Sequence, residues 1–333
     1  MQYRNLGRSG LKVSVLGLGT MTFGNNQWGL GGVDQPGADR MVAMALDYGV
    51  NFFDTADVYA LGESEEMLGR ALGPRRHEVV VATKARSRMG PGVHQTGLSR
   101  KHLYDALHGS LRRLKTDYID LYQLHGFDAE VPIQETLETL ETFVRQGWVR
   151  YIGMSNFAAW QMAKAVTLQK ERRMEPFASA QMHYSLVNRD IEHEVVPAAP
   201  DLGLGLIVWS PLSGGFLSGK YRRGAEVPEA RIRDLSSSFP PFAVEAGLHL
   251  LEPLGEAAGR LHVSMAAVSL AWVKDRPGVS SVLVGARKAQ QLEDNLRAAE
   301  LTLAPADRDR LTAMTEPKAL YPGWMIQSQA SGD

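Results

Sequence analysis

The chain contains no cysteine, and this absence excludes disulfide bonds, thiolate metal ligands and a thiol nucleophile. It also fits a reducing compartment. A strong charge of either sign is missing too, because 36 lysines and arginines face 37 aspartates and glutamates, giving a formal net charge of −1. No block of five like charges occurs. The composition therefore predicts no nucleic acid and no anionic membrane as a partner.

Long hydrophobic runs are absent as well. No stretch approaches the ~18 apolar residues that a membrane span requires, and residues 1–7 have no signal-peptide core. The nine histidines show no metal-ligand spacing, so we expect no metal site. Together these absences predict a cytoplasmic protein that acts on a small molecule and has no membrane partner, and they leave open whether it forms a homo-oligomer.

What the sequence does contain is an alternation of short apolar segments with segments of helical periodicity. The predicted strands are 15–18, 51–53, 79–83, 119–124, 149–154, 178–181, 206–209 and 281–284. Eight such units most economically form one (β/α)₈ TIM barrel, here preceded by an N-terminal β-hairpin over 3–13. The length of 333 residues and the 44% apolar content suit a single barrel domain over residues 1–333. Two long loops, 23–37 and 212–241, are predicted to cover a cofactor or substrate.

Four polar residues follow the second, third and fourth predicted strands: Asp54, Tyr59, Lys84 and His125. Barrel enzymes build their sites at the carboxyl ends of strands, so we expect these side chains to meet. A nearby Lys84 ammonium, partnered by Asp54, would lower the pKa of Tyr59. His125 could then donate a hydrogen bond to a carbonyl oxygen. Each residue alone has an ordinary structural explanation, but their clustering predicts a site that protonates a carbonyl as it is reduced.

The glycine patterns give a different kind of signal. Gly17 and Gly19 begin a dinucleotide fingerprint, but Thr22 replaces its third glycine, which disfavours a Rossmann domain. Residues 285–295 directly follow the last predicted strand and open a helix whose N-terminal amides can hold a phosphate. Arg287 adds a charge suited to a 2′-phosphate.

The chain resembles the aldo-keto reductases over nearly its whole length, in particular the branch with bacterial reductases and potassium-channel β-subunits. The resemblance is carried by Asn-Phe-Phe-Asp-Thr-Ala-Asp-Val-Tyr at 51–59, Val-Ala-Thr-Lys at 81–84, Ile-Gly-Met-Ser-Asn-Phe at 152–157, residues 209–212 with 218–221, and residues 285–295. It implies a barrel that binds NADP(H) in extended form. It also implies that Asp54, Tyr59, Lys84 and His125 match the catalytic tetrad of the family.

The resemblance further assigns residues along the cofactor. Those expected at the nicotinamide are Gly19, Thr20, Met21 and Asp54, with Ser155, Asn156 and Gln181 at its carboxamide and Trp209 stacked on its ring. Those expected at the pyrophosphate are Ser210, Pro211, Leu212, Ser213, Gly214 and Lys220, and those at the adenosine end are Gly285, Arg287, Gln291, Asp294 and Asn295. Many members have lysine and serine where this chain has Gly285 and Ala286. The expected preference for NADPH therefore depends on Arg287, with Gln291.

The predicted function is NADPH-dependent reduction of an aldehyde or ketone, with Tyr59 as the general acid. Substrate contacts are expected from Phe23, Trp28, Tyr59, His125, Phe127 and Trp324. Two alternatives stay open at this point. The chain could be a cofactor-sensing regulatory subunit with slow turnover, or a lyase or isomerase that uses Lys84 as a Schiff base.

Overall fold

The structure is a computed structural model that describes residues 1–25, 32–221 and 239–331. In these ranges the strands are β1 Tyr3–Asn5, β2 Lys12–Ser14, β3 Leu16–Gly19, β4 Phe52–Asp54, β5 Val80–Ala85, β6 Ile119–Leu124, β7 Val149–Ser155, β8 Phe177–His183, β9 Gly205–Trp209 and β10 Val279–Val284. The helices are α1 Gln35–Asp47, α2 Glu63–Leu72, α3 Arg100–Leu114, α4 Ile133–Arg145, α5 Ala159–Arg172, α6 Val195–Asp201, α7 Val244–Leu261, α8 Met265–Lys274, α9 Ala289–Arg297, α10 Pro305–Met314 and α11 Gly323–Ser331.

Strands β3 to β10 form a closed barrel in which every neighbouring pair is parallel. Strands β1 and β2 pair antiparallel as a separate hairpin, with Tyr3 opposite Ser14. The predicted (β/α)₈ TIM barrel with an N-terminal hairpin is therefore confirmed. No helix in the part of the chain that the structure describes is long and apolar enough to cross a membrane.

Local sequence explains where the helices begin. Asp34 precedes α1 and accepts a hydrogen bond from the Gly37 backbone N–H at 2.9 Å, while Ser99 caps α3 by accepting from the His102 N–H at 3.3 Å. Such side-chain oxygens satisfy backbone donors that the first helical turn leaves unpaired. The barrel strands β3 to β10 are buried nearly throughout, because helices cover the outside of the barrel and side chains fill its inside.

The hairpin closes the amino-terminal end of the barrel. Leu6 and Val13 belong to the apolar cluster that fills the barrel interior, together with Phe52, Leu121 and Ile207. The chain can turn there because Gly7 has a φ of +59°, and a Cβ at Gly7 would lie 2.4 Å from the Gly203 carbonyl oxygen. With this end filled by apolar side chains, the carboxyl end is the one available for a polar site.

Strand bounds differ from the sequence prediction in one useful way. Lys84 lies inside β5 and Asp54 is the last residue of β4, whereas both were predicted to follow their strands. Their side chains are thus held by the sheet. The two long loops are described only in part: α1 begins at Gln35, a short 3₁₀ helix covers Ser213–Ser218, and residues 26–31 and 222–238 lie outside the described ranges. Their role as covers stays a prediction.

Candidate active site

The structure brings the predicted tetrad together at the carboxyl end of the barrel. Lys84 Nζ lies 2.5 Å from Asp54 Oδ1, 2.8 Å from the Thr55 carbonyl oxygen and 3.2 Å from the Tyr59 hydroxyl. Lys84 is completely buried. An ammonium group has three N–H donors and no acceptor, so these three contacts use all of them. The Tyr59 oxygen therefore accepts a hydrogen bond from Lys84, which leaves the Tyr59 proton free to be donated elsewhere.

Two glutamines hold the other oxygen of Asp54. Gln123 Nε2 donates to Asp54 Oδ2 at 3.0 Å, and Gln181 Nε2 donates to the same oxygen at 2.8 Å. Both amides are buried. A buried carboxylate needs this full set of partners, because desolvation of an unpaired charge costs several kcal/mol. The Asp54 carboxylate is thereby fixed against the Lys84 ammonium.

The electrostatics correct the expected pKa of Tyr59. Burial is the largest effect and raises the pKa of Tyr59, and the Asp54 carboxylate also raises it, so the lowering by Lys84 is outweighed. The expectation of a lowered pKa was wrong because burial, the largest effect on Tyr59, together with Asp54 outweighs the charge of Lys84. For Lys84 itself, burial lowers the pKa, but Asp54 and Tyr59 together raise it further above its ordinary value. Both raised pKa values favour a protonated Tyr59 phenol beside a charged Lys84 ammonium.

His125 completes the group. Its ring meets the Tyr59 ring edge-on, with centroids 5.9 Å apart and planes at 77°. Burial, and then the charges of Lys84 and Arg86, lower the pKa of His125 to about 3, so the imidazole is neutral at physiological pH. Its Nδ1 is buried without a hydrogen-bond partner among the described residues. This arrangement suits the tautomer that carries its proton on Nε2, which can donate to an acceptor.

A hydrogen-bond chain connects this group to the predicted stacking residue. Asn156 Nδ2 donates to the His125 carbonyl oxygen at 3.1 Å, and Trp209 Nε1 donates to Asn156 Oδ1 at 3.0 Å. Trp209 also lies directly opposite His183 in the β8–β9 pairing, and their rings are 4.7 Å apart at 33°. The exposed Phe239 ring lies 6.2 Å from the Trp209 ring at 23°. Trp209 is therefore fixed at the barrel mouth by its neighbours.

Some of the predicted cofactor residues have polar groups that remain available at the mouth. Ser155 is buried at the end of β7, and its hydroxyl has no hydrogen-bond partner among the described residues. Gly19 ends β3 opposite Asp54, where a Cβ would meet nothing closer than 3.8 Å. Met21 packs against Tyr59. These positions leave a polar group and open space beside the tetrad.

Other predicted cofactor side chains are engaged within the protein. Thr20 Oγ1 contacts the Asp54 carbonyl oxygen at 3.2 Å and Ser64 Oγ at 2.8 Å. Ser213 is fully buried and contacts Ser185 Oγ at 2.7 Å, and its assignment to the pyrophosphate loop stays a prediction. Gln181 is directed at Asp54, and Asp294 accepts from Ser264 Oγ at 2.5 Å.

Along the predicted pyrophosphate segment, backbone shape is the informative feature. Ser210 has a φ of 52° and Gly214 one of 66°, and the Gly214 N–H donates to Ser210 Oγ at 3.3 Å. Pro211 is buried, Leu212 is half-buried and Lys220 is exposed. The chain thus makes a tight left-handed turn directly after β9, at the carboxyl end of the barrel.

At the predicted adenosine end, Gly285 follows β10 and is exposed, and Arg287 is exposed just before α9. The residue before α9, Lys288, makes no side-chain capping bond, and the Arg287 N–H donates to Gln291 Oε1 at 3.3 Å. Asn295 is buried within α9. The predicted helix after the last strand is confirmed, and the amino-terminal end of a helix favours an anion.

The predicted substrate contacts divide into four groups. Tyr59, His125 and Phe127 lie at the mouth, and Phe127 forms an aromatic cluster with Phe157 and Trp160. Phe23 is 1% exposed and belongs to the main core, and its assignment to a substrate wall stays a prediction. Trp324 is 47% exposed on α11, where its aromatic contact is Tyr321, and no described contact joins it to the tetrad. Trp28 lies outside the described residues.

The sequence analysis missed Gln123, Thr55 and His183. Gln123 precedes His125 by two residues, and strand alternation places both on the same side of the chain. That spacing was a usable signal for Gln123. Thr55 acts through its backbone carbonyl, which no residue type reveals. His183 was dismissed with the other histidines because only metal-ligand spacing was considered.

The fold defines a (β/α)₈-barrel protein whose polar side chains converge at the carboxyl ends of β4, β5 and β6. Within the described residues no group of three histidine, aspartate or glutamate side chains could hold a metal. The sequence model of the aldo/keto reductase family matches residues 15–316. The chain therefore belongs to the aldo/keto reductase family, and it is an oxidoreductase that acts on carbonyl compounds.

Individual relatives agree with this membership. A Bacillus subtilis (strain 168) protein named uncharacterized oxidoreductase YrpG is 39% identical, covering 97% of this chain and 97% of its own length. An Arabidopsis thaliana protein named probable voltage-gated potassium channel subunit beta is 36% identical, with coverage of 97% and 99%. The versiconal hemiacetal acetate reductase of Aspergillus parasiticus is 31% identical, again with coverage of 97% and 99%.

Proposed function

We propose that this protein reduces aldehydes or ketones to alcohols with NADPH, and that Tyr59 is the general acid. The observation that carries the proposal is the use of all three Lys84 donors. Because Lys84 donates to the Tyr59 oxygen, the phenol proton stays available for a carbonyl oxygen. A relative named as a reductase supports a carbonyl substrate.

The residues at the mouth fit a nicotinamide cofactor. The unpartnered Ser155 hydroxyl and the Asn156 amide suit a carboxamide, and the Trp209 indole suits an aromatic ring. Arg287 and the uncapped first turn of α9 suit a phosphate at the other end. When bound, the cofactor would supply the hydride that reduces the carbonyl carbon.

The protein's own residues then handle the charge that develops on the carbonyl oxygen. Tyr59 donates its proton to that oxygen as the negative charge grows. Lys84 stabilises the resulting phenolate, and Asp54 holds Lys84 in place. Neutral His125 donates a hydrogen bond that orients the carbonyl. The raised pKa of Tyr59 is compatible with this role, because an alkoxide is a far stronger base than a phenolate.

The same geometry disfavours a Schiff base at Lys84. An amine attacks a carbonyl only in its neutral form, but Asp54 and Tyr59 raise the pKa of Lys84 and occupy its hydrogens. Two experiments decide between these mechanisms. In the first, the protein is incubated with a panel of carbonyl compounds and NADPH, and the nicotinamide absorbance is followed. In the second, the same compounds are trapped with borohydride without NADPH. Oxidation of NADPH supports the proposal, whereas covalent trapping at Lys84 without NADPH oxidation would reject it.

Similarity to potassium-channel β-subunits favours one second candidate, a cofactor-binding regulatory subunit with slow turnover. Such a subunit would share the cofactor site. It would bind NADPH tightly and complete a first turnover. It would then release the oxidised cofactor so slowly that the second turnover is delayed. Burst kinetics with a carbonyl substrate distinguish it from an ordinary reductase.

Trp209 gives one test of the cofactor site. We expect Trp209→Ala to weaken NADPH binding by roughly tenfold, since an aromatic contact contributes on the order of 1 kcal/mol beyond its buried area, and Trp209→Tyr to keep most of the affinity. Titration followed by fluorescence measures both. If Trp209 is only a packing residue, the alanine variant should lose roughly 3 to 5 kcal/mol of stability while binding NADPH normally. Paired melting curves decide between these outcomes.

Arg287 gives a test of cofactor preference. A guanidinium binds a phosphate bidentately but gains little from a ribose hydroxyl, so Arg287→Ala should weaken NADPH by roughly 10- to 100-fold and NADH much less. The neighbouring Lys288→Ala is the matched control, expected to affect both cofactors weakly. Equal losses for NADPH and NADH in Arg287→Ala would show that Arg287 serves the fold or the shared adenosine.

A further inference from the structure

A second group of buried polar residues lies behind Lys84, on the helix side of the barrel wall. Alternate residues of a strand face opposite sides. Lys84 and Gln123 are register partners that point into the barrel, so their neighbours Thr83 and Tyr122, also partners, face the helices. Thr83 and Tyr122 are both completely buried. These two side chains have no access to solvent.

Helices α2 and α3 contribute an ion pair to the same layer. Glu65 accepts from Thr83 Oγ1 at 2.5 Å and from Arg113 Nε at 2.6 Å, and it is fully buried. Arg113 passes Gly62, where a Cβ would lie 2.6 Å from its Cδ. Glu65 and Arg113 therefore satisfy each other.

Asp57 lies in this layer without a partner of its own. It is completely buried, and its backbone N–H donates to the Lys84 carbonyl oxygen at 3.1 Å. Neither carboxyl oxygen has a hydrogen-bond partner among the described residues, and the same is true of the Tyr122 hydroxyl. Both nearby cations are already paired, Arg113 with Glu65 and Lys84 with Asp54. An ionised Asp57 would thus be a buried, uncompensated charge, which costs several kcal/mol.

The charges around Asp57 act in the same direction. Burial, followed by the Glu65 carboxylate of α2, raises the pKa of Asp57 well above its ordinary 3.8. Arg113 of α3, the Val58 N–H and Lys84 of β5 lower it by less, and the Val58 N–H falls short of hydrogen-bond geometry. From β6, Tyr122 is close enough that burial and then Asp57 raise its own pKa well above the ordinary range.

We propose that Asp57 is a neutral carboxylic acid which, with the Tyr122 hydroxyl, binds one internal water molecule and so positions the 55–59 segment that carries Tyr59. A buried water makes two to four hydrogen bonds, and a carboxylic acid and a phenol each offer a donor and an acceptor. Asp57 is a positioning residue in this proposal. Its consequence for catalysis rests on the proposed function of Tyr59, but its protonation and hydration do not.

The neutral form also matters for the charge near Tyr59. An ionised Asp57 raises the pKa of Tyr59, in addition to burial and Asp54. Ionisation would therefore make Tyr59 a poorer acid and disturb the segment that holds it. We expect wild-type kcat to decline at alkaline pH as Asp57 ionises.

Stability tests the protonation directly and needs no substrate. Because folding raises the pKa of Asp57, the folded state binds more protons than the unfolded state, and stability falls as pH rises from about 3.8 towards the raised value. Asp57→Asn lacks this slope and should melt higher than wild type at pH 7, by on the order of 2 °C. Glu65→Gln is the matched control and should melt lower, because it leaves Arg113 unpaired.

Infrared spectroscopy gives a second, independent readout. The wild-type protein should show the carbonyl band of a protonated carboxylic acid at pH 7. This band should shift in Tyr122→Phe, disappear in Asp57→Asn and remain in Glu65→Gln. The proposal is overturned if Asp57→Asn is less stable than wild type at pH 7, or if the acid band is the same in wild type and Asp57→Asn. Either result would show that Asp57 is ionised.

Two variants of similar side-chain size, Asp57→Leu and Asp57→Asn, test the effect on catalysis. Asp57→Leu should lower kcat on the order of tenfold or more without weakening NADPH binding, since small displacements of a reacting group are costly. Asp57→Asn should restore most of that loss and abolish the alkaline decline. Equal kcat in both variants, or an unchanged alkaline decline, would overturn the positioning role. If wild type reduces no carbonyl, the proposed function fails, while stability and infrared results still decide the state of Asp57.

Discussion

Tyr59→Phe should retain NADPH binding and lose roughly 10²- to 10⁴-fold in kcat for carbonyl reduction. The phenyl ring can keep the edge contact with His125, whereas the proton donor disappears. Among the described residues the variant loses one hydrogen bond, that from Lys84 at 3.2 Å, so stability should change by about 1 kcal/mol. Steady-state kinetics and NADPH titration on the same preparation measure the two effects.

The matched control is Tyr104→Phe, on the outer helix α3, where the ring packs against Phe143 at 4.9 Å. It removes a tyrosine hydroxyl remote from the barrel mouth and should leave kcat within about twofold. Wild-type turnover in Tyr59→Phe would show that another group supplies the proton. A parallel loss of NADPH affinity would assign Tyr59 to binding.

Lys84→Met should reduce both activity and stability. It removes the ammonium that stabilises the Tyr59 phenolate, and it leaves the Asp54 carboxylate buried with only glutamine donors. Breaking a buried ion pair from one side costs roughly 3 to 5 kcal/mol. Denaturant unfolding measures this loss, and kcat should fall by about 10² or more, because the phenolate loses its charge partner.

Two variants separate the causes in this experiment. Asp54→Asn combined with Lys84→Met removes both charges and should regain a large part of the stability but none of the activity. Lys274→Met is the matched control, because Lys274 is also buried but pairs with the half-exposed Asp275 away from the site. If Lys84→Met and Lys274→Met cost the same in stability and in kcat, the buried pair has no special role.

The arrangement of the barrel and its tetrad followed from sequence because each depended on local pattern. Short apolar segments alternating with helical periodicity gave eight strands, and the rule that sites lie at carboxyl ends placed Asp54, Lys84 and His125 together. Such inferences need only the chain order and the direction of parallel strands.

The features that the sequence did not predict depend on tertiary contacts. The pKa of Tyr59 rises because burial and Asp54 outweigh Lys84, a balance that depends on depth in the barrel. Phe23 turns into the core, where its chain pairs with Val33. Ser213 faces Ser185 on a neighbouring loop. Which way a loop side chain turns depends on neighbours distant in sequence, and no periodicity encodes it.

Asp57 is another residue whose proposed role depends on tertiary contacts that the sequence does not show. It stands in the middle of the segment that carried the family resemblance, between Asp54 and Tyr59, yet sequence gave it no role. The structure places its backbone N–H on the Lys84 carbonyl oxygen and brings it under the influence of the Glu65 and Arg113 charges.

The most direct test of the central claim is transfer of deuterium from NADPH labelled at the nicotinamide C4 to a carbonyl substrate, followed by mass spectrometry of the product. We expect an alcohol with one deuterium on the former carbonyl carbon, formed in step with the loss of nicotinamide absorbance and strongly reduced in Tyr59→Phe. Product without deuterium, or NADPH that stays unoxidised across aldehydes and ketones while the protein binds it, would contradict the proposed hydride transfer.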